Sequence, residues 1–241
     1  FGSQATGDDI GSFSFNSSNQ LVVNNKVGSS TGVVLNTDMV FRDTSAWYHL
    51  VVVYKGDEVS ASNRAKIYVN GSQVSTTVTE SLSTGNGYFN SANIHGVGRV
   101  GSYTVLFFNG YMAEVYLVDG IGLDPTSFGE FKNGVWIAKE YTGSYGTNGF
   151  RLQFNQTGTG TASSSTIGAD TSGNDNHFSS SGIVASDCDM PDSPENNFAT
   201  FNGVDTRFRS ELAEGSLHVK ALDYSSGNWG HSICTFKIPS S

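Results

Sequence analysis

Apolar and polar residues alternate along most of this chain, and tight turns interrupt the alternation at short intervals. In Gly11–Phe15 (GSFSF) the two phenylalanines lie on one side and the serines on the other, which is the pattern of a half-buried strand. The run Leu50–Tyr54 (LVVVY) follows Trp47 and Tyr48 and ends at the turn Lys55–Asp57. This period of two predicts β-strands over most of the chain.

Two further segments combine strand and turn patterns. In Arg64–Thr76 (RAKIYVNGSQVST), Ile67 and Val69 are predicted to face inward. The dipeptide Asn70-Gly71 predicts a two-residue hairpin turn, because both positions of that turn need positive φ. In Phe108–Gly120 (FNGYMAEVYLVDG) both faces are fairly apolar, which predicts a central strand covered on both sides.

The one helix pattern is Asp124–Phe131 (DPTSFGEF), with Asp124 at the N-cap and at most two turns. Strand patterns return at Gly149–Phe154 and Asn197–Val204. Between them the Gly/Ser-rich segment Thr157–Gly182 predicts a long loop, either a mobile surface excursion or a ligand-binding loop. Many short strands and almost no helix predict an all-β fold, an antiparallel β-sandwich or jelly roll.

Composition excludes several classes of partner. Thirteen basic and 22 acidic residues among 241 give a net charge of -9, which repels nucleic acids and anionic membranes. No apolar run reaches the roughly 20 residues that span a bilayer, and no signal segment begins the chain. Because the first residue is Phe1, we expect a piece of a longer or processed polypeptide. Cys188 and Cys234 can form one disulfide or none, and are too far apart for a paired-cysteine zinc site.

The order of several segments resembles a known family. VFRDTSAWYHLVVVY, RAKIYVNG and FNGYMAEVYLVDG together resemble the laminin-G-like branch of the concanavalin A-like lectin/glucanase jelly rolls. LDPTSFGEF, NGVWIAKEYTGSYGTNGFRLQF and ADTSGNDNHF resemble, more narrowly, laminin-G-like domains in virion structural proteins of tailed, especially marine, bacteriophages. The similarity runs from about Phe13 to His177. It implies two facing antiparallel sheets in a tail fibre or another exposed virion appendage.

Both ends of the chain depart from the resembled pattern. Such domains usually begin with one or two strands ahead of the segment around Phe1. Toward the other end, Asn197–Arg209, Gly215–Asp223 and Ser232–Pro239 resemble the first strands of another β module. We therefore predict a laminin-G-like β-sandwich over residues 1–185 and a partial second β module or extension over residues 186–241.

Two conspicuous motifs have structural interpretations. His49 has apolar neighbours in sequence and no adjacent carboxylate or nucleophile, and the resemblance implies a core strand here with the histidine facing outward. His95–Gly101 (HGVGRVG) contains G-x-G-x-x-G, but a dinucleotide site needs that motif to begin a helix. Here it leads into Ser102–Phe108 (SYTVLFF), another strand pattern. We predict that these glycines form bends or close backbone contacts.

The oxygen-rich segment Asp170–His177 (DTSGNDNH) is the candidate metal site. Calcium prefers six to eight oxygen ligands on a flexible turn, and Asp170 and Asp175 are the predicted ligands. The segment lacks the EF-hand spacing, and Asx-turns explain the same composition without a metal. Weaker candidates of the same kind are Asp8, Asp9, Asp187, Asp189 and Asp192.

Catalytic motifs are missing from the sequence. Glycosidases of the resembled fold place alternating carboxylates along one strand, whereas Glu114 stands among apolar residues and the one close alternation is Asp187-Cys-Asp189. The segment Gly143–Gly146 is one residue short of a G-x-S-x-G elbow, and H-E-x-x-H does not occur. We predict a protein that is not an enzyme.

Carbohydrate binding is the function that composition leaves open, because sugar sites combine aromatic rings with amide and carboxylate groups. The candidate aromatic residues, which the sequence does not rank, are Tyr88, Tyr103, Trp136, Tyr141, Tyr145 and Trp229. The resemblance implies a virion-exposed, homo-oligomeric structural domain that contacts other virion subunits and host-surface glycans. The alternatives are a polysaccharide depolymerase and a secreted adhesion lectin unrelated to phage.

Overall fold

The structure, a computed structural model, describes residues 1–4, 9–27, 30–43, 46–80, 87–101, 107–188, 193–194, 201–207, 210–213, 218–221 and 231–234. Within these ranges the secondary structure is almost entirely β. The helical elements that accompany the strands are one short α-helix, Ala61–Arg64, and the 3₁₀ turns Pro125–Ser127 and Ala185–Asp187.

The described strands are numbered in chain order. The first nine are β1 (Gly2–Gln4), β2 (Ile10–Phe15), β3 (Leu21–Val27), β4 (Ser30–Thr37), β5 (Leu50–Tyr54), β6 (Ala65–Val69), β7 (Ser72–Gln73), β8 (Thr76–Glu80) and β9 (Ile94–Gly96). The others are β10 (Val115–Leu117), β11 (Gly129–Lys132), β12 (Val135–Ala138), β13 (Phe150–Leu152), β14 (Phe201–Arg207), β15 (Ser210–Ala213), β16 (His218–Ala221) and β17 (His231–Cys234).

The chain divides into two compact units. The first unit comprises residues 1–42, 48–109 and 119–144, and the second comprises residues 43–47, 110–118 and 145–241. The sequence predicts a boundary between two modules after residue 185. The two compact units are divided differently, so that module boundary stays a prediction.

The first unit contains a six-stranded antiparallel sheet in the order β8-β4-β3-β2-β1-β9 and a three-stranded antiparallel sheet in the order β5-β6-β7. Alternation along β3 buries Leu21 and Val23. Across the six-stranded sheet, Val23 lies opposite Leu35, so these aliphatic side chains form an apolar patch on one face of this sheet.

A single hydrophobic cluster joins the two sheets. From the six-stranded sheet it contains Leu21, Val23 and Leu35, and from the three-stranded sheet Ala65 and Ile67. Each fully buried aliphatic side chain contributes about 1.5–3 kcal/mol. Because both sheets donate an apolar face to the same core, the prediction of an antiparallel β-sandwich is confirmed.

The hairpin between β6 and β7 has the predicted turn. Asn70 and Gly71 have φ of 47° and 79°, and Val69 pairs with Ser72 across them. Ile67 and Val69 are both buried, as predicted. The Asn-Gly dipeptide therefore sets the register of this hairpin.

The glycines of the G-x-G-x-x-G motif form bends and close backbone contacts, as predicted. Gly98 and Gly101 have φ of 79° and 48°. The Gly101 amide donates to the Gly2 carbonyl at 3.0 Å, and a Cβ on Gly101 would lie 2.8 Å from the backbone nitrogen of Gln4. The strand predicted from Ser102 lies mostly outside the described residues.

One buried amide links both sheets to the turn over residues 87–90. Asn25 of β3 is 2% exposed. Its Oδ1 accepts from the Tyr88 backbone N–H at 2.9 Å, and its Nδ2 donates to the Tyr54 hydroxyl of β5 at 2.8 Å. A Cβ on Gly87 would collide with the Asn25 side chain. The turn therefore lies directly on β3, and only glycine fits at its first position.

Two local predictions differ from the structure. Asp124 caps its turn as expected, accepting from the Thr126 backbone N–H at 2.9 Å, but the helix is a single 3₁₀ turn followed at once by β11. The predicted central strand over Phe108–Gly120 is reduced to β10, which pairs with β13. Glu114 has a φ of 52°, and this left-handed backbone interrupts the strand on its N-terminal side.

In the second unit, the predicted strand at Gly149–Phe154 is confirmed as β13. Antiparallel pairs join β14 to β17 and β15 to β16. Strands β14, β16 and most of β17 fall in segments where strands are predicted, whereas β15 lies between two of those segments. The long loop Thr157–Gly182 has a buried centre at Thr166–Asp170. Asp170 forms an isolated bridge with Leu152. This part of the loop belongs to the interior of its unit rather than to a surface excursion.

We expect Asn25→Val to lower the free energy of unfolding by about 2–4 kcal/mol, because it removes the hydrogen-bond partner of the Tyr88 backbone N–H and one partner of the Tyr54 hydroxyl. The matched control is Asn24→Val on the same strand, where the buried Oδ1 has no hydrogen-bond partner among the described residues. Removing that atom should be neutral or stabilising. Urea unfolding of both variants tests the pair, and equal losses would contradict the role of Asn25.

Candidate functional site

Strands β11 and β12 form a two-stranded hairpin whose turn is Asn133-Gly134. The two turn residues have φ of 52° and 80°, as a type I′ turn requires. The same Asn-Gly pattern identifies the turn at Asn70, and it was available here too. The helix predicted over Asp124–Phe131 is therefore wrong at its end, because Phe131 belongs to β11 of this hairpin.

The register of the hairpin assigns its side chains to two faces, because residues paired across an antiparallel ladder share a face and neighbours along a strand alternate. The aromatic face consists of Gly129, Phe131, Trp136 and Ala138. The outer face consists of Glu130, Lys132, Val135 and Ile137.

The Trp136 indole packs closely against its own unit. A Cβ on either Gly71 or Gly129 would collide with the indole ring. The His49 ring lies 5.7 Å from it, centroid to centroid, at 49°, and the Phe131 ring lies 5.0 Å away in an edge-to-face arrangement at 71°. The indole is therefore held from several sides, and Phe131 rests on its edge.

Exposure separates the two aromatic side chains. Phe131 is 60% exposed, whereas Trp136 is only partly exposed. Nε1 of Trp136 and Nδ1 of His49 are buried and make no hydrogen bond in the part of the chain that the structure describes. An unsatisfied buried polar group costs about 1–3 kcal/mol. The accessible ring of the aromatic face is therefore Phe131, whereas these two nitrogens are closed off from solvent.

His49 is fixed by the hairpin turn beside it. Its backbone N–H donates to the Asn70 side-chain oxygen at 2.9 Å, and its carbonyl accepts from the Asn70 backbone N–H at 2.8 Å. Burial of the imidazole lowers its pKa below the ordinary value, so the ring is neutral at pH 7. The His49 ring packs against Trp136 instead of pointing freely into solvent. A structural role for His49 is therefore a simpler interpretation than a role as general base or ligand.

The other described aromatic candidates are less accessible or already engaged. The Tyr88 hydroxyl donates to Asp9 at 2.7 Å. The Tyr141 hydroxyl donates to the Ser144 carbonyl at 3.1 Å, and Tyr145 is only 7% exposed. Of the described candidates, Trp136 is the one that adjoins a largely exposed ring.

Several predicted residues lie outside the described residues. They are Asp8, Tyr103, Asp189, Asp192 and Trp229. The side chain of Cys234 is not described either, so one disulfide with Cys188 or none stay the two alternatives that the sequence leaves. Cys188 is buried, and its Sγ lies 3.7 Å from the Val184 carbonyl.

Glu114 is engaged in a charged cluster of the second unit. Arg151 donates to it through Nε at 3.0 Å and through its guanidinium NH2 group at 3.2 Å, and the Tyr116 hydroxyl donates at 2.7 Å. The Arg151 guanidinium also lies over the Tyr116 ring. Burial and the hydrogen bond to Glu114 raise the pKa of Tyr116. A carboxylate held in this way is a poor general acid or base.

Asp170 organises the loop around it. Oδ1 accepts from the backbone N–H groups of Arg151 and Ser172, and Oδ2 accepts from the Ser172 hydroxyl and the Asn176 backbone N–H, at 2.8–2.9 Å. Burial disfavours the charged form, but these hydrogen bonds outweigh it and hold the pKa of Asp170 below its ordinary value. Its own amide donates to Nδ1 of His177 at 2.9 Å.

The structure does not bring Asp175 to the same point. Its side chain is 89% exposed, and its carboxylate lies 3.8 Å from Nε2 of His177. Asp187 accepts from the Val184 backbone N–H at 3.0 Å. No group of three or more His, Cys, Asp or Glu side chains that could hold a metal ion occurs among the described residues. Calcium binding by Asp170 and Asp175 stays a prediction, and a cation would compete with four donors at Asp170.

Paired substitutions separate the metal and the hydrogen-bonding roles of these residues. We expect Asp170→Asn to destabilise the protein by about 2–3 kcal/mol, because its new NH2 group faces backbone donors. Asp175→Asn should be close to neutral. Thermal unfolding with and without calcium measures both effects. If calcium raises the melting temperature of the wild type and each substitution abolishes the rise, both residues are metal ligands, and no rise in the wild type excludes the site.

The lowered pKa of His49 predicts a pH dependence of stability. The unfolded state takes up a proton near pH 6.5, whereas the folded state resists it until lower pH. The free energy of unfolding should therefore fall as the pH drops below about 6.5 and level off below the folded pKa. His49→Gln should remove this part of the slope. Urea unfolding from pH 8 to pH 5 provides the comparison, and identical slopes would refute it.

Comparisons with known proteins agree with this architecture. A laminin G family model, described as the concanavalin A-like lectin/glucanases superfamily, matches residues 1–121. Comparisons with curated proteins and with solved structures found no match. In the described part of the chain, no helix is long and apolar enough to cross a membrane. The match covers half of the chain, and the sandwich within it has the expected antiparallel layers. The chain therefore belongs to the concanavalin A-like lectin/glucanase superfamily.

Proposed function

We propose that this protein is a non-enzymatic, carbohydrate-binding domain and that the aromatic face of the β11–β12 hairpin contacts the sugar. The observation that carries the proposal is the 60% exposed Phe131 ring, supported at its edge by Trp136. An exposed aromatic ring provides a flat apolar surface for the C–H face of a pyranose. The superfamily, whose description joins lectins and glucanases, supports the same class of ligand.

The surroundings of Phe131 suit a neutral sugar. Asn133 is exposed at the tip of the hairpin and offers an amide for hydroxyl groups. Nε1 of Trp136 is a further donor on the same hairpin face, but it is buried, so Phe131 and Asn133 are the groups on this hairpin that a sugar reaches.

We assign the domain to a virion structural protein, a tail fibre or other exposed appendage of a tailed bacteriophage. The segments from Phe13 to His177 that resemble such proteins support this assignment, as does the acidic, Gly- and Ser-rich composition. In this setting the domain self-associates, contacts other virion subunits and binds host-surface glycans, without partners among nucleic acids or membranes. A gene neighbourhood without capsid, portal or tail genes would favour a secreted adhesion lectin instead.

The absence of catalysis is part of the proposal. Glu114, the one carboxylate within an apolar strand sequence, is bound by Arg151 and Tyr116. A depolymerase needs two carboxyl groups facing one groove. The release of reducing ends from a polysaccharide that the protein binds would identify it as an enzyme.

A glycan array followed by calorimetry on one positive glycan tests the binding site. We expect Phe131→Ala to weaken binding at least about tenfold, because stacking on one ring is worth about 1.4 kcal/mol or more. The matched control is Phe107→Ala, since Phe107 is equally exposed at 62% but lies outside the hairpin. Equal binding by both variants would exclude the aromatic face, and no binding by the wild type to any glycan would end the proposal.

A further inference from the structure

On the outer face of the β11–β12 hairpin, the side chains of β12 are apolar and those of β11 are charged. Val135 and Ile137 of β12 are 64% and 44% exposed. Beside them on β11, Glu130 and Lys132 are also exposed. Val135 and Ile137 lie two residues apart on one face of β12, so they form a contiguous apolar strip, the kind of feature that marks an interaction surface more often than a single exposed side chain does.

The register arranges these four residues as two cross-strand pairs. Glu130 lies opposite Ile137, and Lys132 lies opposite Val135. These four side chains therefore form a small patch with the charged pair on β11 and the aliphatic pair on β12. Along β11, Glu130 lies at one end of this patch and Lys132 at the other.

This patch is complementary to itself under one twofold rotation. When two copies stack face to face about an axis in the interface, perpendicular to the strands, each strand faces its own copy in reverse order. Glu130 then meets Lys132 of the second copy, and Ile137 meets Val135. Rotation about an axis parallel to the strands would instead set each charge against an aliphatic side chain. The first arrangement satisfies every group, as an isologous contact requires.

We propose that the outer face is a self-association surface and that its occupant is the same face of a second copy of this chain. The inference rests on the self-association in the proposed function and names the surface that performs it. Net charge supports this location. The hairpin Gly129–Ala138 contains one acidic and one basic residue in a chain of net charge -9, so two acidic molecules repel each other least where this neutral surface meets its copy.

A hairpin face is smaller than the surface of about 800 Å² per partner in a standard interface. The isolated protein should therefore associate weakly, and attachment to a larger assembly would strengthen the contact through high local concentration. In this way the hairpin would hold a neighbouring copy through its outer face while its aromatic face stays available to a glycan.

Charge reversal tests the contact by sedimentation equilibrium on the full chain. Glu130→Lys or Lys132→Glu alone should raise the dimer dissociation constant at least about tenfold, because like charges then face each other. The double variant E130K/K132E restores complementarity and should return to within about threefold of wild type. Val59→Lys is the control, since Val59 is 89% exposed elsewhere in the same unit, and it should leave the dissociation constant unchanged.

The outcomes are separable from those for glycan binding. Single reversals that weaken association without changing glycan affinity, with rescue by the double variant, support the proposal. A wild type that stays monomeric up to about 1 mM would overturn it, as would single reversals that associate like wild type. A double variant no better than either single one would also overturn the twofold arrangement. Loss of glycan binding in Phe131→Ala with intact association would leave this inference standing.

Discussion

The sandwich of the first unit depends on the side-chain amide of Asn25. Its oxygen and nitrogen each have a partner, the Tyr88 backbone N–H and the Tyr54 hydroxyl, so both ends of this buried amide are hydrogen-bonded. A shift of β3 by one residue would bring Asn24 to this position and turn Val23 away from the core. The hydrophobic cluster supplies most of the stabilising free energy, but the amide selects one register and one spacing between the sheets.

The position of the hairpin site follows from that alignment. Once Tyr54 is fixed, β5 pairs with β6 from Tyr54–Ala65 to Leu50–Val69. The pairing ends where the Asn70 turn bonds to His49. Gly71 and His49 then provide the surface against which Trp136 packs. Side chains at Gly71 or Gly129 would displace the indole, so the orientation of the aromatic face is set by glycines as much as by the aromatic rings.

Local parts of this structure could be predicted from the sequence, and contacts between distant segments could not. Alternation identifies which side of β3 and β6 is buried, and Asn70-Gly71 identifies its turn, because each signal lies within a few residues. Periodicity does not say which strands pack together, so His49 and Trp136 could not be brought together in advance. At Phe131 two local signals competed. The Asp-Pro start favoured a helix, whereas Asn133-Gly134 favoured a hairpin, and pairing of β11 with β12 decided between them.

The acidic loop illustrates why composition alone does not define a site. Asp170 and Asp175 are similar in sequence terms, but Asp170 accepts four hydrogen bonds from the loop and its neighbouring strand, whereas the Asp175 side chain faces solvent. Carboxylate oxygens that order a backbone and those that bind a cation need the same residue type, and only the arrangement of donors distinguishes them. In the β11–β12 hairpin, too, contacts with neighbouring residues distinguish groups that look alike in sequence. Its two faces come from one alternating sequence, but the neighbouring Gly71 and His49 support only one of them, which leaves the other face available to a partner.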